Sequence, residues 1–247
     1  MPQRLKLIVA YDGTSFSGWQ SQASGNTIQD HLERAFKDVT GQQVRVHGAG
    51  RTDAGVHALA QCAHVDLPDR GLPTARWLSA LNALLPPEIR VLQCRTTGPK
   101  FHARFSATGK VYKYRVWNAP ILPPFERNRA WHVTAPLDKA RIDATAQRFV
   151  GTHNFAGFAA NRGTPVESSI RTIRTLGVRR AGALLTFEFD GDGFLYKMVR
   201  LIVGSLVRCG TGKESLVEIV TRLRSGEAHR ARFVAPAEGL FLLRVRY

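Results

Sequence analysis

The residues with the greatest capacity for chemistry lie in one short run, His47-Gly48-Ala49-Gly50-Arg51-Thr52-Asp53-Ala54-Gly55-Val56-His57. Three glycines surround an arginine and a carboxylate two positions apart. Glycine takes positive φ without steric cost, so such a loop can hold a side chain at a fixed place over a sheet edge. By itself, an aspartate in a glycine-rich loop is more often a turn residue bonded to its own backbone. Spacing removes several alternatives. Gly48, Gly50 and Gly55 do not form GxGxxG, and neither Gly109-Lys110 nor Gly212-Lys213 has the preceding glycine and following Ser/Thr of a P-loop. ATP or dinucleotide binding through these motifs is therefore excluded. His57, Cys62 and His64 suggest a metal, but strand alternation turns Cys62 and His64 to one face and His57 to the other. Structural histidines and no metal are the expectation.

Periodicity supplies the elements that must hold this loop. Residues 5–11 are a β-rich run closed by Asp12-Gly13, and Ile28, Leu32, Phe36 and Val39 fall at helical spacing behind Asn26 or Thr27 as N-cap. Residues 44–49 and 58–67 read as strands, 76–85 as a helix stopped by Pro86-Pro87, and 89–95 as a strand. The order is βαββαβ. After Pro99 it restarts with a strand at 110–117 and an amphipathic helix at 137–150 ended by Gly151. Paired strands at 170–178 and 184–190, helices at 194–208 and 214–224, and a strand at 239–247 complete it. The expected fold is α+β: two ferredoxin-like βαββαβ halves, an RRM-like duplication, fused into one antiparallel sheet with helices on one face. The other face is left open for a ligand. The expected halves are residues 1–99, carrying the glycine-rich loop, and residues 100–247.

Charge narrows the partner. The 247 residues include 35 Lys+Arg against 19 Asp+Glu, a formal net charge of +16. Residues 1–125 carry 15 basic and 8 acidic side chains and residues 126–247 carry 20 and 11, so +7 and +9 fall on the two halves. The excess is not a tail. Between residues 95 and 129, Arg95, Lys100, Arg104, Lys110, Lys113, Arg115, Arg127 and Arg129 face Glu126 alone. Charge runs are usually solvated surface, but such an excess over a whole chain points to a polyanion, because each neutralised phosphate releases counterions. Nucleic acid is the leading partner. Cys62, Cys94 and Cys209 lie far apart without a CxxC, which disfavours a disulfide framework. The first thirteen residues match neither a signal peptide nor a membrane span. A cytoplasmic compartment is expected.

The string GAGRTDAGVHA at residues 48–58 closely resembles the signature of the tRNA pseudouridine synthase A (TruA) family. Further blocks resemble that family in the same order: YDGTSFSGWQ at 11–20, FHARFSATGKVYKY at 101–114, GTHNFAGF at 151–158, FLYKMVRLIVG at 194–204 and EGLFLLRVRY at 238–247. The resemblance spans nearly the whole chain. It implies isomerisation of uridine to pseudouridine in the anticodon stem-loop of tRNA, at tRNA positions 38, 39 and 40, by a homodimer using no cofactor. It makes Asp53 the catalytic carboxylate, with Arg51 two residues before it, and sets Tyr112 of the Y-x-Y pair against the target base. Arg200 of MVR is a further site candidate beside a snorkelling alternative, whereas Met198 and Val199 are expected in the core.

The chemistry suits these residue types. The reaction breaks the C1′–N1 bond, turns the uracil and joins C5 to C1′. One carboxylate begins it, as a nucleophile or as a base removing a ribose proton. Both routes need the ionised form, which a nearby guanidinium favours. A paired uridine must first be flipped out, at about a few kcal/mol. Phosphate contacts from Lys100, Arg104 and Lys110 would offset that and position the RNA. Two other classes compete: a non-catalytic RNA-binding protein with tandem RRM-like halves, and a small-molecule enzyme on the same scaffold. Neither half has a clear RNP1 pattern, which weighs against the first.

Overall fold

Alternation along the first strand sets the architecture: Leu5, Leu7, Val9 and Tyr11 are buried, with half-buried residues between them. The computed structural model describes residues 3–68, 72–160, 168–226 and 233–247. It divides into two units, residues 1–108 with 241–247 and residues 109–240. Among the described residues there are ten strands and five α-helices, an α+β fold.

In the first unit the order is β1 (Gln3–Tyr11), α1 (Ile28–Thr40), β2 (Val46–Gly48), β3 (His57–Leu67), α2 (Thr74–Leu84) and β4 (Ile89–Thr97). This is the expected βαββαβ. β1 lies between β4 and β3, antiparallel to both. Thr27 caps α1 in a reciprocal capping box with Asp30, which satisfies two otherwise orphaned N–H groups. Ile28, Leu32 and Phe36 of α1 are buried, as are Trp77 and Leu81 of α2, and the Phe36 and Trp77 rings lie 5.2 Å apart. A second apolar cluster joins Ala49, Cys62 and Ala103 to Ile8, Phe101 and Val245. Ile8 and Cys62 are cross-strand partners, so the segment around residue 101 partly covers a surface that patterning alone leaves open.

Pairing is mixed rather than wholly antiparallel. The last strand, β10 (Leu240–Arg246), runs parallel to β3, with Phe241 opposite His57 and Leu242 opposite Ala58. Parallel neighbours need a long connection, and here it runs through α2, β4 and the whole second unit. β2 takes the stretch of β3 further along, pairing Val46 with Val65 and Gly48 with Ala63.

The second unit runs β5 (Gly109–Trp117), β6 (Trp131–His132), α3 (Lys139–Ala146), β7 (Gly151–Asn154), β8 (Ile170–Ala181), β9 (Leu184–Gly191), α4 (Met198–Gly210) and α5 (Leu216–Ser225). Its strand order is β5-β9-β8-β7, all antiparallel, with β6 parallel to β5. β6 and β7 are too short, at two and four residues, to show a period. The amphipathic run at 137–150 is an α-helix only from Lys139, behind the Asp138 cap, and tightens into a 3₁₀ turn at Gln147–Phe149. α4 begins at Met198, four residues later than the apolar period suggests, because Lys197 takes a left-handed φ of 59°.

Candidate active site

Residues 49–56 connect β2 to β3 and are fixed from beneath. The Ala49 N–H donates to the Cys62 carbonyl at 2.8 Å, and Gln61 Nε2 donates to the Gly50 carbonyl at 2.8 Å. The Trp19 N–H donates to the Thr52 carbonyl at 3.1 Å. The Tyr11 and Thr52 hydroxyls share a buried hydrogen bond of 2.9 Å. Asp53 opens a turn closed by the Val56 N–H on its carbonyl, with Gly55 at φ 78°, the position where that turn needs a residue tolerant of positive φ. Thr52, Val56 and His57 are buried, Asp53 is half-buried and Arg51 is exposed.

The neighbouring segment, residues 12–20, closes against this loop backbone to backbone. Gly18 has φ +92°, and a Cβ there would stand 2.6 Å from the Thr52 carbonyl oxygen and 3.1 Å from the Asp53 carbonyl carbon. Only glycine allows that approach. His57 is buried, its Nδ1 accepts the Gly13 N–H at 3.1 Å, and its ring stacks on Phe241 at 4.5 Å. Among the described residues, no group of three or more His, Cys, Asp or Glu is placed to hold a metal ion.

Burial raises the Tyr11 phenol well above its ordinary value, while bonds to Thr52 and Gln61 pull the other way. Tyr11 is thus a neutral hydroxyl beneath the loop. Tyr11, Gln61, Trp19 and Gly18 are the functional neighbours that residue-type reasoning misses. Three of the four lie in the YDGTSFSGWQ string, whose Tyr, Trp and Gly read as ordinary core and turn residues.

The other predicted residues fall as follows. Lys100 and Arg104 belong to the first unit and are exposed. Lys110, in β5, is half-buried. Tyr112 is also on β5, opposite Phe189, 8% exposed, and its ring meets Phe194 edge-on at 5.2 Å. Tyr114, two residues on and fully buried, donates to the Pro236 carbonyl at 2.7 Å. Arg200, in the first turn of α4, is half-buried and its Nε donates to the Ala235 carbonyl at 2.7 Å. Met198 and Val199 are core residues. Asp53 and Arg51 thus share one loop of the first unit, whereas Tyr112 and Arg200 belong to the second.

A half-buried carboxylate on a clamped loop, in a strongly basic α+β chain, fits an enzyme acting on a polyanion. The model of the tRNA pseudouridine synthase family matches residues 7–106 and 145–247. The chain is 47% identical over 254 residues to tRNA pseudouridine synthase A of Solidesulfovibrio magneticus, covering 99% of this chain and 91% of that protein. It is 44% identical to tRNA pseudouridine synthase A of Akkermansia muciniphila, with 99% and 95% covered, and 42% identical to that of Acetivibrio thermocellus, with 99% and 100% covered. The chain belongs to the tRNA pseudouridine synthase family. It is an RNA-modifying isomerase.

Proposed function

We propose that this enzyme converts uridine to pseudouridine in the anticodon stem-loop of tRNA and that Asp53 supplies the essential carboxylate. The observation that carries this reading is the loop itself. Residues 49–56 are bonded from beneath by Tyr11, Gln61 and Trp19, while Asp53 keeps a half-exposed side chain at the turn. A group held before substrate arrives spends little of its interaction on being ordered.

In the proposed reaction the ionised Asp53 attacks the ribose or removes a ribose proton, and the C1′–N1 bond breaks. The uracil turns and C5 bonds to C1′ as the carboxylate leaves the ribose or the ribose regains its proton; the C5 proton passes to a base and then to water, and N1 takes up a proton in its place. Atoms balance without a co-reactant, since product and substrate are isomers. The Arg51 guanidinium either favours the ionised carboxylate or fills the stack that the flipped base leaves. Tyr112 serves as the platform for the detached base, and Arg200 as a further substrate contact. Lys100, Arg104 and Lys110 meet backbone phosphates.

We further propose a cytoplasmic homodimer. Ile121 and Phe125 are 79% and 85% exposed, apolar surface that a second copy would cover. Incubation with a tRNA transcript, followed by sequencing for pseudouridine, tests the reaction. Pseudouridine in the anticodon arm is expected, and an unmodified transcript would contradict it. Sedimentation at micromolar concentration should give twice the 27.4 kDa chain mass.

A further inference from the structure

The segment 98–106 is bound far more tightly than a surface loop requires. Arg4 Nη1 donates to the Pro99 and Phe101 carbonyls at 2.5 and 2.6 Å, while its other guanidinium nitrogens hold Asp66. The Ala103 N–H donates to His64 Nδ1 at 3.1 Å, and the Tyr247 hydroxyl donates to the Ala103 carbonyl at 2.8 Å. His102 Nδ1 accepts the Arg104 and Phe105 N–H groups, and the His102 N–H donates to Ser106 Oγ. Lys6 lies over the Phe101 and Tyr247 rings at 4.8 and 4.0 Å.

All this order ends in one exposed aromatic. Phe105 is 76% exposed, with the Arg104 guanidinium 5.6 Å from its ring centre. Behind it runs a ladder of rings. His102 is 4.4 Å from Phe105, His64 is 4.6 Å from His102, and His47 stacks on His64 at 4.9 Å. Burial, then the charges of His102 and His47, lower the His64 pKa to about 4, and burial lowers that of His102. His64 and His102 are therefore neutral near pH 7. His47 lies in β2, directly before the Asp53 loop.

An isolated surface aromatic is ordinary. Ile121 and Phe125 are more exposed, but Ile121 is not aromatic, and among the described residues no such ladder lies behind Phe125. Phe105 differs in the hydrogen bonds that fix its segment, in the ring of His102 behind it and in Arg104 over its face, with Lys100 exposed in the same segment. A fixed π-face beside cations fits an unpaired nucleobase with its phosphates. We propose that Phe105 is a stacking platform for an unpaired nucleobase of the substrate RNA, with Arg104 and Lys100 on the adjoining phosphates. This rests on the tRNA reading and adds a base contact outside the Asp53 loop.

The test measures tRNA dissociation constants and their salt dependence for Phe105→Leu, Phe105→Trp and Arg104→Ala. Leucine keeps the apolar surface but removes the π-face. Phe105→Leu should bind about 5- to 100-fold more weakly, with the slope of log K against log salt unchanged, because stacking releases no counterions. Phe105→Trp should restore binding, and its added fluorescence over wild type should be quenched by tRNA. Arg104→Ala should lower the slope by about 1. Wild-type binding by Phe105→Leu would overturn the platform, as would added indole fluorescence in Phe105→Trp that tRNA leaves unquenched. So would lost binding accompanied by a change in sedimentation, which would assign Phe105 to an interface between copies. Wild-type protein that binds no tRNA would instead contradict the proposed function, so the two failures are distinguishable.

Discussion

The loop that carries Asp53 is positioned by neighbouring residues bonded to its backbone and to Thr52. Tyr11 and Thr52 share a buried hydrogen bond directly beneath it, and Gln61 holds Gly50 on the other side of Arg51. Removing the Tyr11 hydroxyl takes away the partner of the buried Thr52 hydroxyl, at about 1–3 kcal/mol. Small displacements of a reacting group are costly, up to about 100-fold for 1 Å. Tyr11→Phe should therefore fold, keep KM near wild type and lose about 10- to 100-fold in kcat. Thr52→Val should lose activity in the same way, and the double variant should be little worse than Tyr11→Phe alone, because Tyr11→Phe already breaks the bond to Thr52. Equal and additive losses in KM would contradict a positioning role. The loop string and its resemblance pointed to Asp53 and Arg51, whereas the bonds that hold their loop left no such mark. Tyr11 and Thr52 are 41 residues apart, and a buried tyrosine leaves no mark in a sequence that separates it from core.

Elements with a full period or a chemical cap were readable, and those without were not. Thr27 and Asp30 mark the start of α1, and the run of alternating apolar residues marks β1. β6 and β7 have too few residues for any period, and the start of α4 is set by the φ of Lys197, which composition does not encode. The α4–α5 contact was equally hidden. It is built on Glu214, whose side chain is 3% exposed, with Arg222 at 2.7 Å and Arg208 at 3.5 Å. Arg222 also donates to Ser205 of α4 at 2.6 Å and lies over the Phe158 ring at 4.3 Å. Breaking a buried pair by removing one partner strands the other charge, at about 3–5 kcal/mol. Glu214→Ala should lower the urea midpoint accordingly. A shift below about 0.5 kcal/mol, within ordinary surface variation, would show that the pair carries little stability.

For the whole molecule, the charge of +16 governs encounter with RNA more than it governs the fold. If about six to ten phosphates are contacted, tRNA affinity should fall by roughly 10³ to 10⁵ between 50 and 200 mM salt. Replacing exposed Lys100 and Arg104 together should flatten that dependence by about two phosphates. A dissociation constant indifferent to salt would contradict the basic-surface argument. Composition pointed to a polyanion and the loop to a carboxylate, whereas the pairing of β10 with β3 joins residues far apart in sequence, such as His57 and Phe241. The central claim is tested most directly by tritium release from tRNA carrying tritium at uridine C5, since forming the C5–C1′ bond expels that hydrogen. Asp53→Asn keeps the size and turn-forming ability of the side chain while removing the carboxylate. The variant should fold, bind tRNA with near-wild-type affinity and release no tritium above background. Substantial release by Asp53→Asn would contradict the catalytic assignment and return the loop to a structural role.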